Sequence, residues 1–515
     1  MKQRFLAAWL AFSILLCCGC GMAGADQKGA ISLVIDPENI SKINGGVFEG
    51  WGTSLCWWAN RLGYSHTLAK QAARAFCDPD RGLGLNILRY NIGGGDDPEH
   101  SHITRTDSMV PGYWKNPAYS GFAGEYTWEY DWSQDKNQRN VLEKCVQAYG
   151  DGLIVEAFSN SPPYFMTESG CSSGAIKPAQ DNLRQDAYDA FARYLAEVAE
   201  HFATEWGIRF QSISPMNEPN TSYWGAYSPK QEGCHFSAGA SQSRILTALR
   251  EALDKKGLGD ILISGTDETS VDAQIMSLGK LTEEAMAVID RVDTHTYDAA
   301  FRTKLRRLAI DLGKNLWMSE VDGGNTLGRN AGEMGAGLWL SQKITDDLNG
   351  LTPSAWILWQ AIDSHISKTG YLGRTDTGML NLEGGYWGTA VADHDRETLV
   401  FTMKYYALGQ FTRYIRPGSH LIEMKGPAVA ALGADGKSLT VVVTNQEGTE
   451  QKCAMDLSAF GGLFPDGARV RVIRTSGTAQ DGEHWKELDS LSVSERAINA
   501  VLSPFSVTTF VVEVE

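Results

Sequence analysis

From residue 46 to residue 411, apolar runs of strand length alternate with amphipathic stretches of helical period. The apolar runs fall near 47–53, 86–92, 152–158, 209–216, 261–266, 291–296, 315–320 and 353–359. Short runs this uniformly apolar suit parallel strands covered on both faces. The clearest helical stretch begins near Arg184, where Tyr188, Phe191, Leu195, Val198 and Phe202 recur every three or four residues. Eight strand–helix units predict an α/β chain folded as a (β/α)8 TIM barrel over residues 46–411. A doubly wound open sheet is the competitor. Against it, no strand leads directly into a G-x-G-x-x-G turn, and Gly93-Gly94-Gly95 is followed by Asp96-Asp97-Pro98, a poor cradle for phosphate.

The pattern changes after Phe411. Strands at Leu439–Thr444, Arg469–Arg474 and Val507–Val514 are separated by turn signals at Asp435-Gly436 and Asn445-Gln446-Glu447-Gly448. They predict a C-terminal antiparallel β-sandwich side domain. The period-two run Ile31–Asp36 is expected to join it, so that residues 30–45 plus 412–515 form one domain tied to both ends of the barrel. Residues 1–25 read as a signal peptide. Lys2 and Arg4 precede the apolar segment Phe5–Leu16, which is too short to cross a bilayer, and Ala23-Gly24-Ala25 is a cleavage site. Cys20 after Gly19 offers a competing lipoprotein signal, although Cys17 stands where that signal wants an aliphatic residue. Either route predicts an exported protein: secreted, periplasmic or an outer-membrane lipoprotein of a bacterium.

Charge and cysteines narrow the chemistry. A formal net charge of −16 predicts repulsion from nucleic acid and anionic membrane, so a neutral partner is expected and membrane contact only through an N-terminal lipid. Six cysteines remain beyond the leader, none with C-x-x-C spacing, so no zinc or other metal site is expected. Cys77 and Cys145 lie in helical patterns and read as buried thiols. Cys171 and Cys234 both lie in Gly-flanked loops and are the candidate disulfide. Several tryptophans (Trp57-Trp58, Trp114, Trp128, Trp132, Trp224, Trp387) sit in loop-like stretches. Loop indoles offer flat apolar faces to the C–H face of a sugar ring.

In a barrel of this kind, polar residues at the C-terminal strand ends face the site. Reading those ends in order gives Trp51; Arg89 and Asn91; Ser159 and Asn160; Asn217 and Glu218; Asp267; His295 and Tyr297; Glu320; and Trp359. Pro219 lacks an N–H and stops the fourth strand just after Glu218. Glu218 and Glu320, at the ends of the fourth and seventh strands, face each other across the mouth. Two carboxyls flanking a sugar can cleave its glycosidic bond, one as proton donor and one as nucleophile or base; about 5–5.5 Å between them favours retention.

These ordered segments resemble glycoside hydrolase family 30 over nearly the whole mature chain: Phe48–Gly52, Leu88–Gly95, Ser159–Met166, Asn217-Glu218-Pro219, His295-Thr296-Tyr297, Ser319-Glu320 and the closing Pro504–Phe510. The resemblance implies a retaining double displacement with Glu218 as acid/base and Glu320 as nucleophile. It implies Asn217 on the sugar 2-hydroxyl, Tyr297 holding the nucleophile, and Arg89 keeping Glu320 ionised. Glu218 is expected to have a raised pKa. Trp51, Arg89, Asn160, Asn217, Trp224, His295, Tyr297 and Trp359 are the expected glycan contacts, with no cofactor. Asp293 and His295 form a weak metal-ligand pattern, better read as a hydrogen-bonded histidine. Gln231–His235 and Gly170–Gly174 resemble the endo-β-1,6-galactanase branch, whose substrate is a neutral β-galactan. A β-1,6-glucanase, glucosylceramidase or xylanase activity, or a non-catalytic glycan-binding role at the cell surface, are the alternatives.

Overall fold

The computed structural model describes residues 30–120, 125–378 and 380–514. The leader, with its cleavage site and Cys20, lies outside the described residues. Eight parallel strands close into a barrel in chain order: β1 (Gly50–Ser54), β2 (Ile87–Asn91), β3 (Ile154–Phe158), β4 (Ser212–Ser214), β5 (Leu262–Ser270), β6 (Arg291–Asp298), β7 (Asn315–Val321) and β8 (Ala355–Leu358). Closure comes from β8 pairing with β1, Trp356 opposite Trp51. The helices cover the outer face. In Tyr188–Glu205, the stripe Tyr188, Phe191, Leu195, Val198 and Phe202 is buried as its period predicts. Helix His66–Phe76 starts where Ser65 accepts from Leu68 N, and helix Val271–Leu278 where Ser270 accepts from Ala273 N.

Part of the barrel interior is polar. Glu156 on β3 accepts from Arg89 Nε at 2.9 Å, from Ser212 Oγ at 2.8 Å, from Ser264 Oγ at 2.9 Å, and from Arg291. Every one of these groups is buried, and each is paired, which is the condition for tolerating charge in such a place. The network fixes Arg89 under the C-terminal mouth.

Two small β-elements were not foreseen. A hairpin, Trp114–Ser120 with Glu125–Tyr130, is inserted after β2, and a three-stranded sheet (Ile362–Ile366, Ala390–Asp393, Thr398–Phe401) follows β8. The hairpin is mostly half-buried or exposed, so it lacks the apolar run that marks a barrel strand.

The second domain has a six-stranded antiparallel sheet: His420–Ile422, Ala428–Leu432, Ser438–Asn445, Ser506–Glu513, Arg469–Ser476 and Glu483–Ser492, in that order. A smaller sheet faces it, in which Ile31–Val34 and Ala497–Leu502 flank Gln451–Asp456. The N-terminal strand runs parallel to its neighbour, Leu33 opposite Met455, while the others are antiparallel. Leu33, Val441, Met455 and Phe510 share the core between the sheets. Helix Met403–Thr412 joins the domains, with the Gln410 carboxamide bridging Thr475 and Thr509.

Candidate active site

β4 ends at Ser214, and the chain turns through Pro215-Met216-Asn217-Glu218-Pro219. Glu218 has a φ of 45° and Asp267 on β5 a φ of 61°. Non-glycine residues in this left-handed region cost on the order of 1–3 kcal/mol each. The two are tied together: Glu218 N donates to Asp267 O at 2.8 Å. The strain aims the Glu218 side chain into a cleft of about 580 Å³, which Glu320 enters from β7 on another side.

His295 on β6 lies between the two acids. Its Nδ1 is 3.1 Å from Glu218 Oε1 and 3.4 Å from Glu320 Oε1. An oxygen of each carboxyl and a nitrogen of His295 all lie within 4.8 Å of one another. On its other edge, His295 Nε2 lies 3.1 Å from Asp267 Oδ1, which also accepts from Ser319 Oγ at 2.7 Å. Asp267 thereby sets the ring's orientation. Asp293 turns instead to Arg291 Nε, at 2.6 Å, and makes no pair with His295.

Arg89 lies beneath Glu320. Its guanidinium donates to Glu320 Oε2 at 3.3 Å, to Asp267 Oδ2 at 2.5 Å and to Ser319 O at 3.2 Å, and stacks over Phe158. It is fully buried, so its reach to a glycan is through Glu320. Tyr297 donates to Glu320 Oε1 at 3.0 Å. Tyr223 donates to Glu218 Oε2, and Trp224 Nε1 donates to Glu218 O at 2.9 Å.

These contacts set the titration. Burial opposes ionisation of Asp267, but Arg89 and His295 outweigh it and hold that carboxyl well below the usual range. Burial likewise opposes a charged imidazole, yet Glu320 and Asp267 raise His295 well above its ordinary value. Burial and the neighbouring Glu218 charge push Glu320 up to about 7, against His295 and Arg89. Burial would raise Glu218 too, but His295 and Tyr223 hold it below the ordinary value, opposite to the sequence expectation. Its own loop and β6 supply the donors that the sequence pattern does not reveal. The two glutamates therefore titrate as one unit whose last proton leaves at about 7. Arg89, beside Glu320, opposes the rise of that carboxyl without cancelling it. No Lys or Arg pairs with Glu218 among the described residues.

Other expected residues are distributed as follows. Asn217 lines the cleft, and its buried Oδ1 has no protein partner. Trp224 and Trp359 also line it, and Trp359 meets Trp57 edge to face with centroids 5.1 Å apart. Asn160 is behind this wall, its Nδ2 3.6 Å from Cys56 Sγ. Trp51 is a correction. Its strand begins at Gly50, so Trp51 lies at the N-terminal end, where its ring packs on Phe48, Trp356 and Phe411 and Nε1 donates to Ile415 O at 2.7 Å. Trp57, in the loop beyond β1, provides the indole that Trp51 does not. The Cys171–Cys234 bridge is also corrected: both are free and buried, Cys234 Sγ facing His235 O and Cys171 Sγ facing His102 and Ser173.

The sequence reading missed Arg105, Gln360 and Asp363, which line the same cleft. Arg105 stacks over Trp57 at 4.8 Å and pairs with Asp107 and with Asp363 Oδ1, the latter at 3.2 Å. Arg105 comes from the long loop after β2, and Gln360 and Asp363 from the segment just after β8, Asp363 on the small-sheet strand Ile362–Ile366. Trp387 closes the cleft near Tyr297, and its loop is held where Asp322 accepts from Gly388 N at 2.6 Å.

Comparison with known proteins gives three kinds of likeness. The family model described as O-Glycosyl hydrolase family 30 matches residues 34–273. An endo-beta-1,6-galactanase of Hypocrea rufa is 31% identical, across 93% of this chain and 94% of its own. An exo-beta-1,6-galactobiohydrolase of Bifidobacterium longum subsp. longum is 26% identical, across 93% of this chain but 39% of its own. Among solved structures, the catalytic domain of the GH30 xylanase C from Talaromyces cellulolyticus superposes with a TM-score of 0.68 at 19% identity, covering 94% of this chain and 100% of that one.

Proposed function

The chain belongs to glycoside hydrolase family 30, and from that premise we propose that it is a retaining endo-β-1,6-galactanase working by double displacement with two glutamates. The observation that carries the chemistry is the shared contact of Glu218 and Glu320 with one imidazole nitrogen, their nearest oxygens within 4.8 Å. That closeness suits direct attack better than the wider gap that makes room for a water.

In the first step Glu320 attacks the anomeric carbon while Glu218 passes its proton to the departing glycosidic oxygen. A glycosyl ester forms on Glu320, and the aglycone leaves protonated. Glu218, now ionised, then takes a proton from water, whose oxygen attacks the same carbon and frees Glu320. Net retention follows from two inversions. His295 Nδ1, between the acids, is placed to pass a proton to Glu218 before the first step. Tyr297 and Arg89 hold the Glu320 carboxylate in line. Asn217 offers its carboxamide to a sugar hydroxyl, and the walls of Trp57, Trp224, Trp359 and Trp387 stack the rings.

The galactan assignment is supported by the relatives named above, both acting on β-1,6-linked galactose by their names. The test is a product profile on β-1,6-galactan, β-1,6-glucan, glucuronoxylan and glucosylceramide. We expect a ladder of short galacto-oligomers from galactan alone. Galactobiose as sole product would reassign the enzyme as exo-acting, and turnover confined to the other three would overturn the substrate.

A further inference from the structure

Outside the catalytic cleft, four side chains converge at one point: Asp96 and the pair His100 and His102 from the loop after β2, and Cys171 from the loop after β3. One ligand atom of each lies within 4.8 Å of all the others. Asp96 Oδ2 is 3.3 Å from His100 Nδ1 and 3.4 Å from His102 Nε2, and His102 Nε2 is 3.5 Å from Cys171 Sγ. Four ligands at bonds of about 2.0–2.3 Å around a tetrahedral ion have six edges of roughly 3.3–3.7 Å, and the 3.3, 3.4 and 3.5 Å separations match three of them. Hydrogen bonding alone accounts poorly for the cluster. His102 Nε2 faces Asp96 Oδ2, Cys171 Sγ and Ser173 Oγ together, more partners than one ring nitrogen satisfies in either tautomer.

We propose that Asp96, His100, His102 and Cys171 form a tetrahedral zinc site. The donor set of one thiolate, two imidazoles and one carboxylate suits a borderline-soft ion, and thiolate plus carboxylate neutralise its two charges. Binding converts the Cys171 thiol to thiolate, and its proton is released to solvent. The surroundings are built for that state. Cys171 Sγ accepts from Tyr227 N at 3.3 Å and lies 3.1 Å from Ser173 Oγ, while Asp96 Oδ1 accepts from Ser172 N at 2.9 Å. Cys171 is buried, whereas the His100, Asp96 and His102 side chains keep 22%, 16% and 12% of their exposure, which gives the ion a route in.

The site connects three loops. Ser228 N, next to Tyr227, donates to Ser173 Oγ at 3.1 Å, and Ser228 and Lys230 line the catalytic cleft. The ion thus fastens one wall of the cleft from behind without touching the reacting groups. This inference stands independently of the galactan reading.

The test uses the full mature chain, untagged and stripped with chelator, then given Zn(II) or Co(II) alone. We expect uptake of one equivalent per chain by elemental analysis and a rise in Tm with Zn(II). With Co(II) we expect the intense visible bands of a tetrahedral ion and a thiolate-to-cobalt charge-transfer band. Cys171→Ser should remove the charge-transfer band, and His100→Ala should cut occupancy at least tenfold, both with wild-type circular dichroism. Stripped protein that takes up neither ion would overturn the site, as would cobalt bands that survive unchanged in Cys171→Ser. Since His100 is partly exposed, its variant stays informative if Cys171→Ser folds poorly.

Discussion

Glu218 and Glu320 meet at a single nitrogen of His295, so their protons cannot be treated separately. Below about pH 7 the pair keeps one proton, and the acid step requires that proton on Glu218. Above it the pair holds none and no acid remains for the leaving oxygen. The expected kcat/KM profile therefore falls on the alkaline side with an apparent pKa near 7; a profile flat to pH 9 would remove the shared proton. The two roles separate by rescue. Glu218→Ala should lose about 10²–10⁴-fold in kcat on unactivated glycan, the usual worth of general acid–base catalysis. With azide and an aryl glycoside, it should recover turnover and yield the azide of retained configuration. Glu320→Gly should give the inverted azide instead. Exchanged stereochemistry would exchange the assignments.

At the scale of elements, most of the barrel was legible and much of the site's wall was not. Strands covered on both faces read as short, mainly apolar runs, so all eight showed as such runs in the sequence, and with them the ends that carry Glu218, His295 and Glu320. Register was less legible. A strand starting at Gly50 instead of 47 moves Trp51 from the mouth to the outer packing. Loops have no period, so Arg105 and the convergence of His100, His102 and Cys171 left no signal in spacing. Loop glycines do carry one when read against structure. A Cβ on Gly233 would lie 2.1 Å from the Trp224 ring, whose Nε1 holds the backbone of Glu218. Gly233→Ala should thus displace Trp224, costing about 1–3 kcal/mol of stability from overpacking. It should also lower kcat more than Tm alone would suggest. Wild-type kcat in a folded Gly233→Ala would separate this loop from the acid's placement.

For the whole molecule, the barrel and sandwich are joined by the N-terminal strand, by Trp51 Nε1 on Ile415 O and by the Gln410 contacts, so loosening the barrel loosens the shared helix as well. Buried carboxyls set how that joined structure responds to pH. Burial pushes Glu232 up to about 8, and Glu268 and Asp135 up to about 7, despite the donors around them. Unfolded, these groups titrate near about 4. A group with a raised folded pKa contributes stability in full below its unfolded pKa and loses it as pH rises through the folded one. Opposing them, Arg474 leads the groups that hold Glu483 down to about 2, and that contribution is lost only as pH falls below about 4. The melting temperature should accordingly be highest near about pH 4 and decline toward about pH 8. Each titrating group weakens the fold by up to about 1.4 kcal/mol per pH unit in that window. Glu232 is the informative member: it is buried, accepts from Gly95 N at 2.8 Å and carries a proton at neutral pH. Glu232→Gln mimics the protonated form, so it should melt like the parent at about pH 4 and increasingly above it from about pH 5 to pH 8. A parent melting temperature that rises from pH 6 to pH 9, or a Glu232→Gln slope equal to the parent's, would show that Glu232 is ionised in the folded chain.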